Sequence, residues 1–124
     1  DTVKYGDRLL ELSHWMIDVH RTLDRTRNTA YAYEGIIPAY EWARKTGKSE
    51  EAGKFRDTID KGLGKLCTWQ VGSPWANSFI RSHPTDDPLA LGGIQNHASE
   101  PLLRIDVTQH QMHAVILARR YVFP

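Results

Sequence analysis

Two stretches of the chain concentrate side chains able to move protons or hold a hydroxyl-rich ligand. In Asn28-Thr29-Ala30-Tyr31-Ala32-Tyr33-Glu34, Tyr31 and Glu34 stand one helical turn apart, so a phenol and a carboxylate can be presented together. In Arg104-Ile105-Asp106-Val107-Thr108-Gln109-His110, a guanidinium, a carboxylate, a hydroxyl, an amide and an imidazole gather at one helix start, a set suited to orienting a sugar and transferring a proton. Asp106, His110, Glu34 and Tyr31 are therefore the candidate catalytic residues. The candidates for substrate binding are Arg104, Arg27, Asn28, Trp75, Gln95, His97 and Gln109, with the two arginines suited to a carboxylate and Trp75 to stacking on a sugar face. A purely architectural use of these residues competes with the chemical one. Asn28 caps a helix, the tyrosines pack, Glu34 is solvated, and an Arg104–Asp106 pair fixes a loop.

Other constellations are thinner. His110 and His113 are one turn apart, with His97 as a third imidazole, but zinc needs three or four ligands of defined geometry and the helical HExxH motif is missing; no metal and no cofactor is assigned. His14 and His20 lie six residues apart, a spacing that turns them to different sides of a helix. Gly92-Gly93 leads into Ile94-Gln95 and signals a turn, not a phosphate loop. Cys67 adjoins an apolar stripe and is expected to be buried.

Composition bounds the rest. The 124 residues carry 16 Lys and Arg against 15 Asp and Glu, a formal charge of +1, which lacks the basic excess of a nucleic-acid binder. No apolar run approaches the ~20 residues that span a bilayer, so no membrane partner is expected, and one cysteine cannot form an intrachain disulfide. The first residue is Asp and no leader precedes it, so a processed or excised chain is expected, and its compartment is not legible.

The apolar periodicity that carries these groups is helical. Leu9, Leu12, Met16, Val19 and Leu23 recur at three- and four-residue steps and predict a helix over 7–23. A second, over about 29–46, carries Ala30, Tyr33, Ile37 and Tyr40 on its stripe, with Pro38 expected to kink it. Only Gly47, Lys48 and Ser49 separate it from a third, to about Gln70, so the pair is expected to form an antiparallel hairpin. Prolines and glycines break the period from Gly72 to Leu103, a long loop with room for short strands near 78–81 and 90–94. A fourth helix begins at Asp106. In an antiparallel array both polar connections fall at one end, where the N-termini of the second and fourth helices favour anionic or hydroxyl-rich ligands.

Four features carry a likeness to known proteins: Asn28-Thr29-Ala30-Tyr31-Ala32-Tyr33-Glu34-Gly35 opening a helix, the Thr46-Gly47-Lys48 turn, Thr68-Trp69-Gln70 ending the next helix, and Gly92-Gly93-Ile94 followed by the segment from Arg104 to His110. Over roughly residues 24 to 121 the sequence resembles part of an α/α toroid, the ring of helical hairpins shared by many carbohydrate-active enzymes, sugar epimerases and terpene cyclases. The resemblance implies an all-α domain over 1–124 whose helical hairpins form an arc, with the second and fourth helices inside and the polar end as the cleft. It also implies a fragment of a larger toroid, whose open flanks are covered by the rest of a longer chain or by a second copy.

Two functions are expected from this. The first is processing of a carbohydrate ligand, an oligosaccharide or uronic-acid polymer, by hydrolysis, elimination or epimerisation. Two carboxylates at the site favour hydrolysis, whereas Tyr and His with Arg favour the other two reactions. The alternative is a non-catalytic helical module for protein–protein interaction or assembly, to which Trp15, Trp42, Trp69 and Trp75 supply large aromatic surfaces.

Overall fold

The computed structural model describes residues 1–124 and is helical, with no β-sheet. Helix α1 spans Thr2–Asp18, earlier than the periodicity predicts. The Asp1 carboxylate caps it by accepting from the Val3 and Lys4 backbone N–H groups, and Gly6 is tolerated inside it because a Cβ there would run into the Trp42 indole. Arg21, with φ at 56°, reverses the chain into a 3-10 turn at Thr22–Asp24, so Leu23 belongs to the turn and not to α1. Helix α2, Ala30–Lys45, passes through Pro38 without a break in its assignment, and α3 runs over Ser49–Cys67. Helix α4, Ser78–Ser82, is one short turn, and α5 spans Ile105–Tyr121.

Helix α2 is the centre of the molecule and packs against α1, α3 and α5. Its small residues Ala30, Ala32, Ala39 and Ala43 are buried and let the neighbours approach, while Tyr33, Ile36 and Ile37 fill the space between them. Phe55, Ile59, Leu63 and Leu66 of α3 and Ala114 and Ala118 of α5 complete the core. Contacts between α1 and α2 run from Gly6–Trp42 to His20–Tyr31, so these helices point in opposite directions. Between α2 and α5 they run from Asn28–Gln111 to a groove shared by Lys45 and Tyr121, so these two point the same way.

The loop from Thr68 to Arg104 is ordered by backbone pairing, without strands. The segment expected as a strand near 78–81 is α4, because the Asn77 side chain accepts from the Ile80 N–H and starts a helical turn. The 90–94 segment makes one isolated bridge, Gln70 with Ile94, and two more join Gln95 to Leu103 and Arg27 to His97. Gly72 and Gly92, both at positive φ, supply the reversals that bring this loop back beside the end of α3. No helix is long and apolar enough to cross a membrane.

Candidate functional site

One stripe of α2 faces outward between α1 and α5. Near its start stands Glu34, and α5 lays two imidazoles onto its carboxylate: His110 Nδ1 lies 2.7 Å from Glu34 Oε2 and His113 Nδ1 lies 2.6 Å from Oε1. In the neutral rings each Nδ1 carries the proton it donates, so each Nε2 is left with a free lone pair. A carboxylate that fixes a ring's tautomer and orientation in this way leaves the opposite nitrogen free to take a proton. Glu34 is the less exposed partner and the two rings stand at the surface, with side chains 41% and 55% exposed for His110 and His113, so both remain open to a ligand.

One turn before Glu34, Tyr31 meets a third imidazole. His20 Nε2 is 3.0 Å from the Tyr31 hydroxyl, and the His20 ring stacks on Trp15 at 5.7 Å. Arg25 holds this histidine from the other side, with Nε donating to the His20 carbonyl at 2.8 Å and Nη2 lying 3.3 Å from His20 Nδ1. Burial first, and then the positive charge of Arg25, push the His20 pKa below that of a free imidazole. Farther along the same outward stripe, Pro38, Glu41 and Lys45 floor a groove of about 600 Å³, walled by Tyr5 and Leu9 of α1 and by Leu117 and Tyr121 of α5.

The remaining candidate residues lie elsewhere or face inward. Asp106 is gripped by Arg104 through two bonds, at 3.0 and 2.7 Å, and also accepts from the Val107 N–H; the guanidinium holds its carboxyl below the usual range. Its partner is thus Arg104, while His110 pairs with Glu34. Asn28 is buried, donating to the Gln95 carbonyl and to Gln111 Oε1 and accepting from the Ala30 N–H, which ties the start of α2 to the loop and to α5. Gln95 is 1% exposed and spans Asn77 and the Glu100 carbonyl. His97 accepts from the Ser99 N–H, Arg27 is bridged to it through the backbone, and Gln109 is exposed on α5. Trp75 is 72% exposed and lines a shallow groove with Cys67, Gln70 and Leu91. Cys67, expected in the core, faces solvent because the buried side of α3 ends at Leu66.

Sequence reasoning reached Glu34, Tyr31 and His110 but not their partners. His113 was visible as the residue one turn beyond His110, and its partner is a carboxylate from α2. That Trp15, Arg25 and Tyr31 meet at His20 had no local signal, because the left-handed Arg21 decides where His20 ends up. No group of three or more His, Cys, Asp or Glu side chains has the geometry to hold a metal ion. Comparison with known proteins gives no match: no family model, no curated protein and no solved structure corresponds to the chain.

Proposed function

We propose that the outward face of α2 is a carbohydrate-processing site working by proton transfer, with Glu34 orienting His110 and His113 as the general bases. The observation that carries this reading is the pair of hydrogen bonds from two imidazoles to one carboxylate. It also selects among reactions. Hydrolysis by the usual route needs two carboxyl groups flanking the scissile bond, whereas Asp106 is already bound by Arg104 and Glu34 stands with two imidazoles and a phenol. Elimination or epimerisation fits that set. An imidazole Nε2 takes a proton from a sugar carbon; the electron pair forms a double bond as the neighbouring C–O bond breaks, with Tyr31 protonating the leaving oxygen, or a proton returns from the opposite face. The parallel course of α2 and α5, with α1 running against α2, supports reading the chain as an arc of an α/α toroid.

The test is incubation of the chain with neutral and uronic-acid oligosaccharides in heavy water, followed by NMR. Deuterium entering a sugar carbon, or an unsaturated product, is the expected result, and Glu34→Gln should slow it by on the order of 100-fold because both rings lose their carboxylate. New reducing ends with no exchange at carbon would instead mean hydrolysis, and no change in any sugar would remove the reading. Leu12, Met112 and Ile116, each more than half exposed, favour a second use of the molecule as an assembly face; a solution mass equal to one chain at high concentration would speak against it.

A further inference from the structure

Arg25 is a fixed cation with one edge unused. Its Nε and Nη2 grip His20, and its own carbonyl, together with that of Leu23, accepts from Lys65 Nζ at 2.6 and 2.8 Å. Backbone and guanidinium are thus both held in place, by α3 on one side and by His20 on the other. The neighbouring carboxylate, Asp24, is already paired with Arg21, and Arg25 has no carboxylate of its own. What remains free is the Nη1/Nη2 edge, whose two parallel N–H groups match the two oxygens of a carboxylate. The same His20 ring carries Trp15 stacked on it, half exposed, an aromatic surface of the kind that covers the apolar face of a sugar.

We propose that Arg25, Trp15 and Tyr31 form a subsite for the carboxylate-bearing ring of a uronic-acid oligosaccharide, with His20 and Lys65 as positioning residues. Because His20 Nδ1 accepts from Arg25, the proton of the neutral ring sits on Nε2 and is donated to the Tyr31 oxygen. The hydroxyl hydrogen of Tyr31 is then free for a bound ligand. Burial, and then the positive charge of Arg25, both favour this neutral form. The inference rests on the reading of the α2 face as a proton-transfer site in one respect: a carbon next to a carboxylate gives up its proton more readily than one in a neutral sugar, so a uronate is the substrate that this chemistry needs.

The experiment is titration of residues 1–124 with trigalacturonate and with its fully methyl-esterified form, read by NMR shifts of the His20 ring nitrogens and the Trp15 indole. Binding of the acid that moves both signals, at least tenfold tighter than binding of the ester, is the expected result. Arg25→Met should abolish that preference, and Arg25→Lys should restore only part of it, since an ammonium lacks the two-pronged edge. A thermal melt establishes that each variant is folded. Equal binding of acid and ester, shifts that leave His20 and Trp15 unmoved, no binding of either, or an unchanged preference in Arg25→Met would each overturn the proposal. Its failure is separable from that of the proton-transfer reading. Deuterium exchange that survives Arg25→Met sinks the subsite alone, whereas Arg25-dependent binding without exchange sinks only the catalytic reading.

Discussion

Single residues set the titration behaviour of this protein. Tyr33 is 1% exposed, and burial pushes its phenol pKa up to about 12, with the Thr29 hydroxyl acting weakly in the other direction. A folded-state pKa raised above the unfolded value of 10 means that the stabilisation is complete below about pH 10 and is lost as pH rises towards 12. The two-unit difference corresponds to roughly 3 kcal/mol. Urea melts across that window should show the loss in the native chain, and Tyr33→Phe should remove most of it. At this scale the sequence was partly legible. Tyr31 and Glu34 are three residues apart on one helix, so their common face follows from helix geometry alone. The bond from Glu34 to His113 spans 79 residues, and no local pattern encodes which side chain an incoming helix will offer.

At the scale of elements, glycine positions separate close packing from open surface. A Cβ at Gly62 would fall inside the phenol ring of Tyr33, where α3 crosses α2, whereas one at Gly64 would meet nothing. Gly62→Ala is therefore expected to destabilise the fold by about 1–3 kcal/mol through overpacking. Gly64→Ala should stabilise it by about 0.5–1 kcal/mol, since a mid-helix glycine gives up more backbone freedom than alanine does. Chemical denaturation of the two variants side by side checks both signs. Periodicity revealed α1, α2, α3 and α5 because each has a face to bury, and it missed α4, which buries none of its five residues. The start of α1 was missed for another reason. Its first turn is set by the Asp1 cap and by Gly6 against Trp42, and neither belongs to an apolar repeat.

Across the whole molecule, one buried polar crossing ties the long loop to the helical core. Asn28 links the loop to α5 through Gln95 and Gln111, Gln111 donates to the Leu66 carbonyl at the end of α3, and the Gln95 amide reaches Asn77 and Glu100 within the loop. The start of α2, the end of α3, α5 and the loop meet there. Gln95→Ala leaves the Asn77 amide and the Glu100 carbonyl, both in the loop, without this partner and is expected to cost about 2 kcal/mol. Hydrogen exchange should rise across residues 72–103 while the core of α2 stays protected, and uniform exchange through the whole chain would show that the loop is not a separate unit. The amides of Asn28 and Gln95 suggested a binding surface in the sequence. In the fold both amides bond to backbone carbonyls, a role that residue type alone does not distinguish from ligand contact.

The outward turn of Cys67 has a practical consequence. It is the chain's one thiol and lies in the same shallow groove as Trp75 and Gly92. A maleimide dye attached there occupies a single defined position with no competing sulfur to remove. The neighbouring indole quenches many such dyes on contact, so any lifting of the loop away from α3 would register as a gain in brightness in the otherwise native protein.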